Sequence, residues 1–320
     1  MAPAMAKSAQ RETSSAERTG SSSPEHGARP KVAYVMGAGR SGSTILGIAL
    51  GNCEGFLYAG EVDKWLQRAG DPPLGGEQRE RFWRAVREGA EVSSSLTGGR
   101  ARGLESSSAP FRLRFWREQR RLRGPYRRFA GELYRAIARV AGASTVVDTS
   151  HFPRRARELQ HVEGIELYLL LIVRDPQSVV ASWGRRDVVE PRFTMLQTNA
   201  YMWLTYLISL FVFLRHPRER RLLVRHEDLV ADPAGVVRDI LDCMGSSAPL
   251  PDFGALRTGV AFQGNRVARS EVVALNGSAA PPARRSRTTV ALQMPWRIVF
   301  ARLRPVAGAG RHTRTRTRPA

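Results

Sequence analysis

The sequence feature that most constrains the fold is a glycine-rich turn between two apolar segments. An apolar run, residues 32–36, leads into Gly37-Ala-Gly-Arg-Ser-Gly42, and a second apolar run, residues 45–50, follows Ser43-Thr44. This order predicts a strand, a tight turn and a helix. The backbone N–H groups of such a turn, together with the positive end of the helix dipole, form a binding site for anions. The turn is therefore a candidate phosphate or sulfate site.

The residues of this candidate site each offer a backbone amide or a polar side chain to an oxyanion. They are Gly39, Arg40, Ser41, Gly42, Ser43 and Thr44. Arg40 contributes a planar fork of donors that matches a pair of phosphate or sulfate oxygens. We therefore expect its guanidinium to contact the ligand directly.

Three interpretations of the turn remain open when it is considered alone. The glycine spacing fits the dinucleotide fingerprint, and Glu61 lies about twenty residues further on, where a ribose-binding carboxylate is expected. The spacing also fits a nucleoside triphosphate loop, but Ser43 stands where such a loop has its lysine. The third interpretation is a structural turn that binds no ligand.

Strands and helices alternate along the rest of the chain. The predicted strands cover residues 54–59, 144–147, 167–173 and 222–225, and the predicted helices cover residues 77–90, 111–123, 126–141, 193–215 and 232–244, with a further helix starting at 176. This alternation predicts an α/β fold with a mostly parallel sheet flanked by helices. The polar turns 37–44, 148–151 and 174–182 each follow a strand, so they are expected to meet at the carboxyl edge of the sheet.

The length and composition indicate one globular domain with extensions. The chain has 320 residues, of which 42% are hydrophobic, enough to bury a sizeable core. We predict a domain over residues 31–304, a disordered N-terminal arm over residues 1–30 and a disordered arginine-rich tail over residues 305–320. The arm contains no apolar segment that would indicate a signal peptide.

The formal net charge of +21 is carried almost entirely by arginine, because only Lys7, Lys31 and Lys64 are lysines. Ten arginines and no acidic residue lie in residues 284–320, so much of the excess belongs to the C-terminal segment. Such a charge favours polyanionic ligands and anionic surfaces. The charge therefore leaves open a further interpretation, in which the chain is a basic protein that binds nucleic acid or an anionic surface. We expect no specific nucleic acid partner, while the tail could contact a membrane peripherally.

Cysteine and histidine usage gives no indication of a disulfide framework or a metal site. The two cysteines, Cys53 and Cys243, are far apart in sequence, and the six histidines lack ligand spacing. The apolar stretch 200–214 is about fifteen residues long, which is shorter than a membrane span and predicts a buried helix. We therefore expect a cytoplasmic protein that needs no metal.

A second motif distinguishes the interpretations of the turn. Arg174-Asp175-Pro176 follows the predicted strand 167–173, and Ser182 lies two helical turns further on. In combination with Arg40-Ser-Gly-Ser-Thr44, this motif resembles the sulfotransferases that use 3'-phosphoadenosine 5'-phosphosulfate, and most closely the bacterial members and the tyrosylprotein or carbohydrate type. The resemblance covers residues 31–304. Weaker matches are Arg225-His-Glu-Asp-Leu229 and Gly264-Asn-Arg266.

The resemblance implies a P-loop-like sulfotransferase fold and a role for each matched residue. Arg40, Ser43 and Thr44, with the loop amides, would hold the 5'-phosphosulfate. Arg174 and Ser182 would hold the 3'-phosphate, with Arg266 near the donor. Glu61 would be the general base that takes the proton of the acceptor, because a hydroxyl is a poor nucleophile at neutral pH.

One position departs from the pattern of these relatives. Where they often have Asp-x-Ser-Lys, this chain has Asp148-Thr-Ser-His151. His151 could act there as a hydrogen-bond donor or a partial cation, or Arg154 or Arg155 could supply the positive charge. The predicted reaction is sulfuryl transfer to a hydroxyl or amine of a small-molecule, carbohydrate or lipid acceptor. The rival enzymatic interpretation is an NAD(P)-dependent oxidoreductase.

Overall fold

The computed structural model describes residues 29–73, 75–97, 99–105, 116–183, 194–275 and 287–302. Most of the predicted N-terminal arm and the whole predicted tail, residues 305–320, lie outside these ranges.

A five-stranded parallel sheet forms the centre of the domain, with the strand order β2-β3-β1-β4-β5. The strands are β1 (Lys31–Met36), β2 (Phe56–Gly60), β3 (Thr145–His151), β4 (Glu166–Val173) and β5 (Arg221–Arg225). A short antiparallel pair, β6 (Leu256–Arg257) and β7 (Val272–Val273), lies apart from it. The prediction of an α/β fold with a mostly parallel sheet is confirmed.

Helices cover both faces of this sheet. The described helices are α1 (Ser43–Gly51), α2 (Glu77–Glu88), α3 (Arg102–Glu105), α4 (Trp116–Ala141), α5 (Pro153–Leu159), α6 (Pro176–Trp183), α7 (Met195–Leu214), α8 (His226–Ala231), α9 (Pro233–Cys243) and α10 (Arg287–Arg302). Within the described ranges, none of these helices is both long and apolar enough to cross a membrane.

The alternation of side chains along β1 divides the core into two layers. Val32, Tyr34 and Met36 point into the layer that contains α4, α5 and α7. Ala33 and Val35 point into the opposite layer, with α1 and α9. Successive side chains of a strand lie on opposite faces, so a strand buried on both faces reads as one continuous apolar run.

The connections leave β1 and β3 on opposite faces of the sheet. The helix α1, which follows β1, packs in one core layer, whereas α5, which follows β3, packs in the other. The two strands are direct neighbours, so the chain diverges between them. In open parallel sheets, ligands bind at such a point, beyond the carboxyl ends of the strands. The turn after β1 therefore lies where the topology favours a binding crevice.

The sequence predicted two helices, 111–123 and 126–141, where the structure has the single helix α4 and leaves residues 111–115 outside the described ranges. Pro125 lies inside the helix, although proline removes an intrahelical hydrogen bond. Leu122, Tyr126, Phe129 and Leu133 are buried along one side of α4. Their packing spans the proline, and it offsets the lost bond.

The strand predicted to end at Val147 extends to His151, because its last polar residues are buried and paired. The Asp148 carboxylate accepts hydrogen bonds from Tyr134 (2.5 Å) and from the backbone amide of Ser150 (2.8 Å). Arg155 lies 3.3 Å from the same carboxylate. Because the residues at these positions are polar, nothing in the sequence indicated that the strand continues, buried, to His151.

Candidate active site

The candidate functional residues follow the carboxyl ends of neighbouring strands. Met36 of β1 is in register with His151 of β3 and with Leu171 of β4. Adjacent strands lie about 5 Å apart, and β2 is therefore about 10 Å from β1 along the same edge. Glu61 follows β2, and Arg174 follows β4. The structure thus brings the turn after β1, Glu61, His151 and Arg174 to one edge, as the sequence predicted.

The shape of the turn after β1 requires two of its glycines. A Cβ atom on Gly37, whose φ is +153°, would lie 2.4 Å from the carbonyl oxygen of Ile172 in β4. A Cβ atom on Gly42, whose φ is +99°, would lie 2.3 Å from Nδ1 of His226. These are contacts that real side chains do not tolerate. The turn is therefore packed between β4 and the start of α8. We call residues 37–44 the cradle.

The cradle presents backbone donors that have no partner among the described residues. Within the part of the chain that the structure describes, no hydrogen bond involves the amides of Gly39, Arg40 or Gly42. Gly42 precedes the first residue of α1 and offers no side-chain cap to that helix. The first amides of a helix without such a cap, together with the helix dipole, attract an anion.

Arg40 stands in the left-handed region of backbone conformation, with φ of +71°. Such a conformation is uncommon for residues other than glycine and often occurs at ligand-binding turns. Its guanidinium carbon lies 5.8 Å from the ring centre of Trp183, a cation–π distance. The partly buried side chain is thus held beside the cradle by an aromatic surface.

Ser41 serves the shape of the cradle through its side chain. Its hydroxyl is fully buried and lies 2.7 Å from the hydroxyl of Tyr206 in α7. Tyr206 also accepts a hydrogen bond from the backbone amide of Arg174, at 3.3 Å. The Ser41 side chain is therefore engaged within the protein, and its amide donates to the carbonyl oxygen of Ala38 at 3.3 Å. Ser43 and Thr44 are buried in the first turn of α1.

The second motif contacts the first directly. The Arg174 guanidinium donates from Nη1 to the carbonyl oxygen of Arg40, at 3.1 Å. Asp175 accepts from the Ser178 amide at 3.0 Å, which fixes the start of α6. At the other end of α6, a Cβ atom on Gly39 would meet the Trp183 ring at 3.1 Å. Ser182, which precedes Trp183, therefore lies on the part of α6 that approaches the cradle.

Residues 225–229, one of the weaker motif matches, contact both the cradle and the second motif. Glu227 accepts a hydrogen bond from the Asp175 amide at 2.8 Å. The His226 ring packs against Gly42, and its buried Nδ1 has no hydrogen-bond partner within the described part of the chain. Burial lowers the pKa of His226 to about 4, and the positive charge of Arg174 contributes in the same direction. His226 is therefore neutral at pH 7.

Glu61 directly follows β2 and is hydrogen-bonded to the segment that precedes Arg266. Its amide donates to the carbonyl oxygen of Gln263 at 2.7 Å, and its carboxylate lies 3.5 Å from Nε2 of Gln263. The next residue, Gly264, lies close to Thr44 and Tyr58. Residues 263–266 thus cross the start of α1 and reach Glu61. Arg266 is exposed in the short 3-10 turn that follows.

His151 ends β3 in the left-handed region, with φ of +56°, and its ring lies 4.2 Å from the ring of Phe152. Burial lowers the pKa of His151 to about 4, and the charge of Lys64 lowers it further. The half-buried imidazole is therefore neutral at pH 7. Of the two roles that the sequence left open for His151, a hydrogen-bonding role fits this state and a cationic role does not.

The two arginines considered as replacements for a cation at position 151 are engaged elsewhere. Arg155 is 1% exposed, with Asp148 at 3.3 Å and Glu105 at 3.5 Å, and it donates to the hydroxyl of Tyr126 at 2.5 Å. Arg154 donates to Gln119 of α4. Arg155 therefore pairs with two buried acidic side chains beneath the sheet edge, of which Glu105 has a pKa that burial raises well above its usual range. Among the described residues, no group of three or more His, Cys, Asp or Glu side chains could hold a metal ion.

Sequence reasoning missed three residues that shape the site: Tyr206, Trp183 and His226. They contact Ser41, Arg40 and Gly42 respectively. Neither Tyr206 nor Trp183 lies within a motif that the sequence indicated. The one signal for His226 was its place in the segment 225–229, and the sequence contains no comparable signal for Tyr206 in the middle of an apolar helix.

A comparison with protein-family models decides the family. The model described as "Sulfotransferase family" matches residues 33–249, more than half of the chain, including the cradle, Glu61, His151 and the second motif. The chain belongs to the sulfotransferase family. A search of curated proteins found no match. Membership supports a transferase and replaces the oxidoreductase interpretation of Glu61 as a ribose ligand.

Three solved structures are similar to this chain at low sequence identity. The sulfotransferase domain from the curacin biosynthetic pathway has 15% identity and a TM-score of 0.50, over 84% of this chain and 98% of that domain. The sulfotransferase domain of the Synechococcus PCC 7002 olefin synthase has 18% identity and a TM-score of 0.45, over 86% and 97%. A sulfotransferase from Alicyclobacillus acidocaldarius has 17% identity and a TM-score of 0.36, over 86% and 92%.

Proposed function

We propose that this sulfotransferase transfers a sulfuryl group from 3'-phosphoadenosine 5'-phosphosulfate to a hydroxyl or amine of an acceptor, releasing adenosine 3',5'-bisphosphate. The observation that carries the proposal is the contact between the two motifs, in which Arg174 donates to the carbonyl oxygen of Arg40. Two anion-binding elements in contact suit a ligand that carries two separate phosphate groups.

The cradle would hold the 5'-phosphosulfate. Its unused amides and the start of α1 provide positive dipoles, and Arg40 provides a charged fork of donors. Ser43 and Thr44 would add hydroxyl contacts, whereas Ser41 would act by fixing the turn through Tyr206. Donors held in place before the reaction stabilise charge that develops on the leaving phosphate.

The 3'-phosphate would lie between Arg174 and Ser182. Arg174 is anchored at one end of α6, and Trp183, next to Ser182, packs on Gly39 at the other. Both residues therefore belong to one short element that touches the cradle. Arg266, exposed on the segment that crosses α1, would contact the donor from the opposite side of the cradle.

Glu61 would act as the general base. As the bond from the acceptor oxygen or nitrogen to sulfur forms, the bond from sulfur to the bridging phosphate oxygen breaks, and the acceptor proton moves to the Glu61 carboxylate. The position of Glu61 about 10 Å along the sheet edge from β1 leaves room for an acceptor group between them. Its backbone is fixed by the 2.7 Å bond to Gln263.

The charge on the sulfuryl oxygens would be met by Arg40, with His151 as a neutral hydrogen-bonding group. The low pKa of His151 makes it unsuited to a cationic role at pH 7. A sulfuryl group carries less negative charge than a phosphoryl group, so oriented amides and one guanidinium can suffice. A reaction without metal stays a prediction. We also expect the cytoplasmic location and an acceptor of small-molecule, carbohydrate or lipid class.

The donor assignment is tested with nucleotides that differ only at the 3' position. Calorimetry would compare adenosine 3',5'-bisphosphate with adenosine 5'-monophosphate for the wild type, Arg174→Ala and Arg40→Ala. We expect Arg174→Ala to weaken binding of the bisphosphate strongly and of the monophosphate little. Arg40→Ala should weaken both, and it should lower sulfuryl transfer by about 10²–10³-fold, as the loss of one such donor does elsewhere.

Arg218→Ala serves as the matched control, because Arg218 is exposed at the opposite edge of the sheet, before β5. This variant should bind both nucleotides as the wild type does. Equal effects of Arg174→Ala on the two nucleotides would contradict the assignment of the 3'-phosphate. Full sulfuryl transfer by Arg40→Ala would contradict the assignment of the cradle.

A further inference from the structure

The outer side of α7 is apolar, which is unusual for a helix on the surface of a domain. The twenty residues of α7 include no charged side chain. Met202, Tyr206 and Phe213 are buried against the core, whereas Leu207, Phe211 and Leu214 are 48%, 50% and 54% exposed. The exposed positions are three or four residues apart, so they form one line along the helix. Surface helices normally have polar residues on this side.

The helix α10 packs against α7 and has exposed apolar side chains of its own. Its Trp296 ring lies 4.2 Å from Trp203 and 5.0 Å from Tyr206 of α7. On α10, Met294 and Ile298 are 48% and 47% exposed and lie four residues apart. We call the large apolar side chains that are exposed on the two helices the α7–α10 face; its members are Leu196, Leu207, Phe211, Leu214, Leu292, Met294 and Ile298.

Arginines accompany this apolar face. The Arg215 guanidinium lies 3.7 Å from the centre of the Phe211 ring, and Arg297 precedes Ile298 on α10. The sixteen residues of α10 contain three arginines and no acidic residue. The chain then continues through residues 303–320, which hold five further arginines and again no acid. Apolar side chains with arginines at their border are typical of helices that lie in the interface of an anionic membrane.

We propose that the α7–α10 face docks on a membrane surface that contains anionic lipids. The face offers apolar side chains for the acyl boundary, and its arginines and the following segment offer charge for the headgroups. A second copy of this chain is a poorer partner, because it would bring the same arginines together on a protein of net charge +21. Docking of this kind does not depend on the sulfotransfer reaction.

The opposite side of α7 links the face to the cradle. Tyr206 of α7 contacts Ser41, and Tyr201 packs edge-on against Trp183 beside Arg40. A protein docked through α7 would hold its cradle next to the lipid surface. Resting on the proposed function, this placement points to an acceptor whose hydroxyl or amine is presented at a membrane, such as the headgroup of an amphiphile.

The test is flotation of the full chain with vesicles of phosphatidylcholine alone and of phosphatidylcholine with phosphatidylglycerol. The test variant combines Leu207→Gln and Phe211→Gln. The control is Val272→Gln, since Val272 is an equally apolar residue, 53% exposed on β7. We expect the wild type and the control to float with the anionic vesicles, and the double variant to lose at least about tenfold in vesicle affinity.

Far-ultraviolet circular dichroism and the affinity for adenosine 3',5'-bisphosphate should be unchanged in the double variant, because both side chains point outward. Vesicle binding by the double variant equal to that of the wild type would overturn the proposal and assign the binding to the arginine-rich segment alone. Failure of the wild type to bind either vesicle would also overturn it. A wild-type dimer in sedimentation that the double variant does not form would overturn the proposal as well. The face would then be a contact between two copies of the chain. If the wild type did not bind adenosine 3',5'-bisphosphate, the proposed function would be contradicted. The vesicle result would still test the docking proposal independently.

Discussion

The packing of His226 against Gly42 makes a quantitative prediction about the cradle. An alanine at position 42 would have to adopt φ near +99°, which costs about 1–2 kcal/mol for a residue with a Cβ atom. The new Cβ atom would also lie 2.3 Å from Nδ1 of His226, and relieving such a clash typically costs about 1–3 kcal/mol. We expect Gly42→Ala to lower the free energy of unfolding by both contributions together.

Two further variants separate the backbone contribution from the steric one. Gly245 has φ of +60°, and no atom lies within 4 Å of the place that a Cβ atom would occupy there, so Gly245→Ala should cost only about 1 kcal/mol from the backbone. In the His226→Ala background, Gly42→Ala should lose its steric contribution. The two substitutions should therefore show a coupling energy of about 1–3 kcal/mol, in the sense that the second relieves the first.

Urea denaturation of the four members of this cycle and of Gly245→Ala, monitored by circular dichroism at constant pH, provides the free energies. The reasoning is refuted if Gly42→Ala costs no more than Gly245→Ala. It is refuted equally if the cost of Gly42→Ala is the same with and without the His226 side chain. Either result would mean that His226, at the start of α8, does not pack against the cradle.

Three other perturbations test the site. Glu61→Gln should lower kcat by about 10²–10⁴-fold while leaving the affinity for adenosine 3',5'-bisphosphate unchanged, because it removes the proton acceptor and not a donor contact; steady-state kinetics and calorimetry measure the two effects. His151 should make the fold acid-sensitive, since its pKa of about 4 in the folded state lies below its unfolded value of about 6.5, so stability present above pH 6.5 is lost as pH falls toward 4. Asparagine tolerates positive φ, so His151→Asn should reduce this acid-dependent loss of unfolding free energy by at most about 3 kcal/mol, measured in urea titrations at several pH values. A pH profile identical to that of the wild type would contradict the buried neutral state of His151. Arg155→Met should destabilise the fold by about 3–5 kcal/mol because it leaves Asp148 and Glu105 without their cation, whereas Arg157→Met, on the exposed side of the same helix, should have little effect.

The sequence was sufficient to predict the sheet and the edge at which the candidate site residues lie. The apolar runs of β1 and β4 are buried on both faces, and that burial produces an unbroken run of apolar letters. The cradle was predictable because a tight turn with positive φ that packs against another strand requires glycine, as at Gly37 beside Ile172. Residues at strand ends then fall on one edge as a consequence of parallel topology.

Long-range polar pairing could not be predicted in the same way. The extension of β3 through Asp148 depends on Tyr134 and Arg155, which lie on α4 and α5. Likewise, the hydroxyl of Tyr206 reaches Ser41 from 165 positions further along the chain. Such partners have no spacing rule, because they are brought together only when the helices pack on the sheet. The ionisation state of His151 was unpredictable for the same reason.

The central claim is that the cradle and Arg174 together bind the donor of a sulfotransferase, and one calorimetric comparison tests it most directly. The purified full chain would be titrated with adenosine 3',5'-bisphosphate, with NADP⁺ and with ATP under identical conditions. We predict micromolar binding of adenosine 3',5'-bisphosphate, on the order of −8 kcal/mol, and much weaker binding of the other two. Binding of NADP⁺ or ATP with no measurable binding of adenosine 3',5'-bisphosphate would contradict the account.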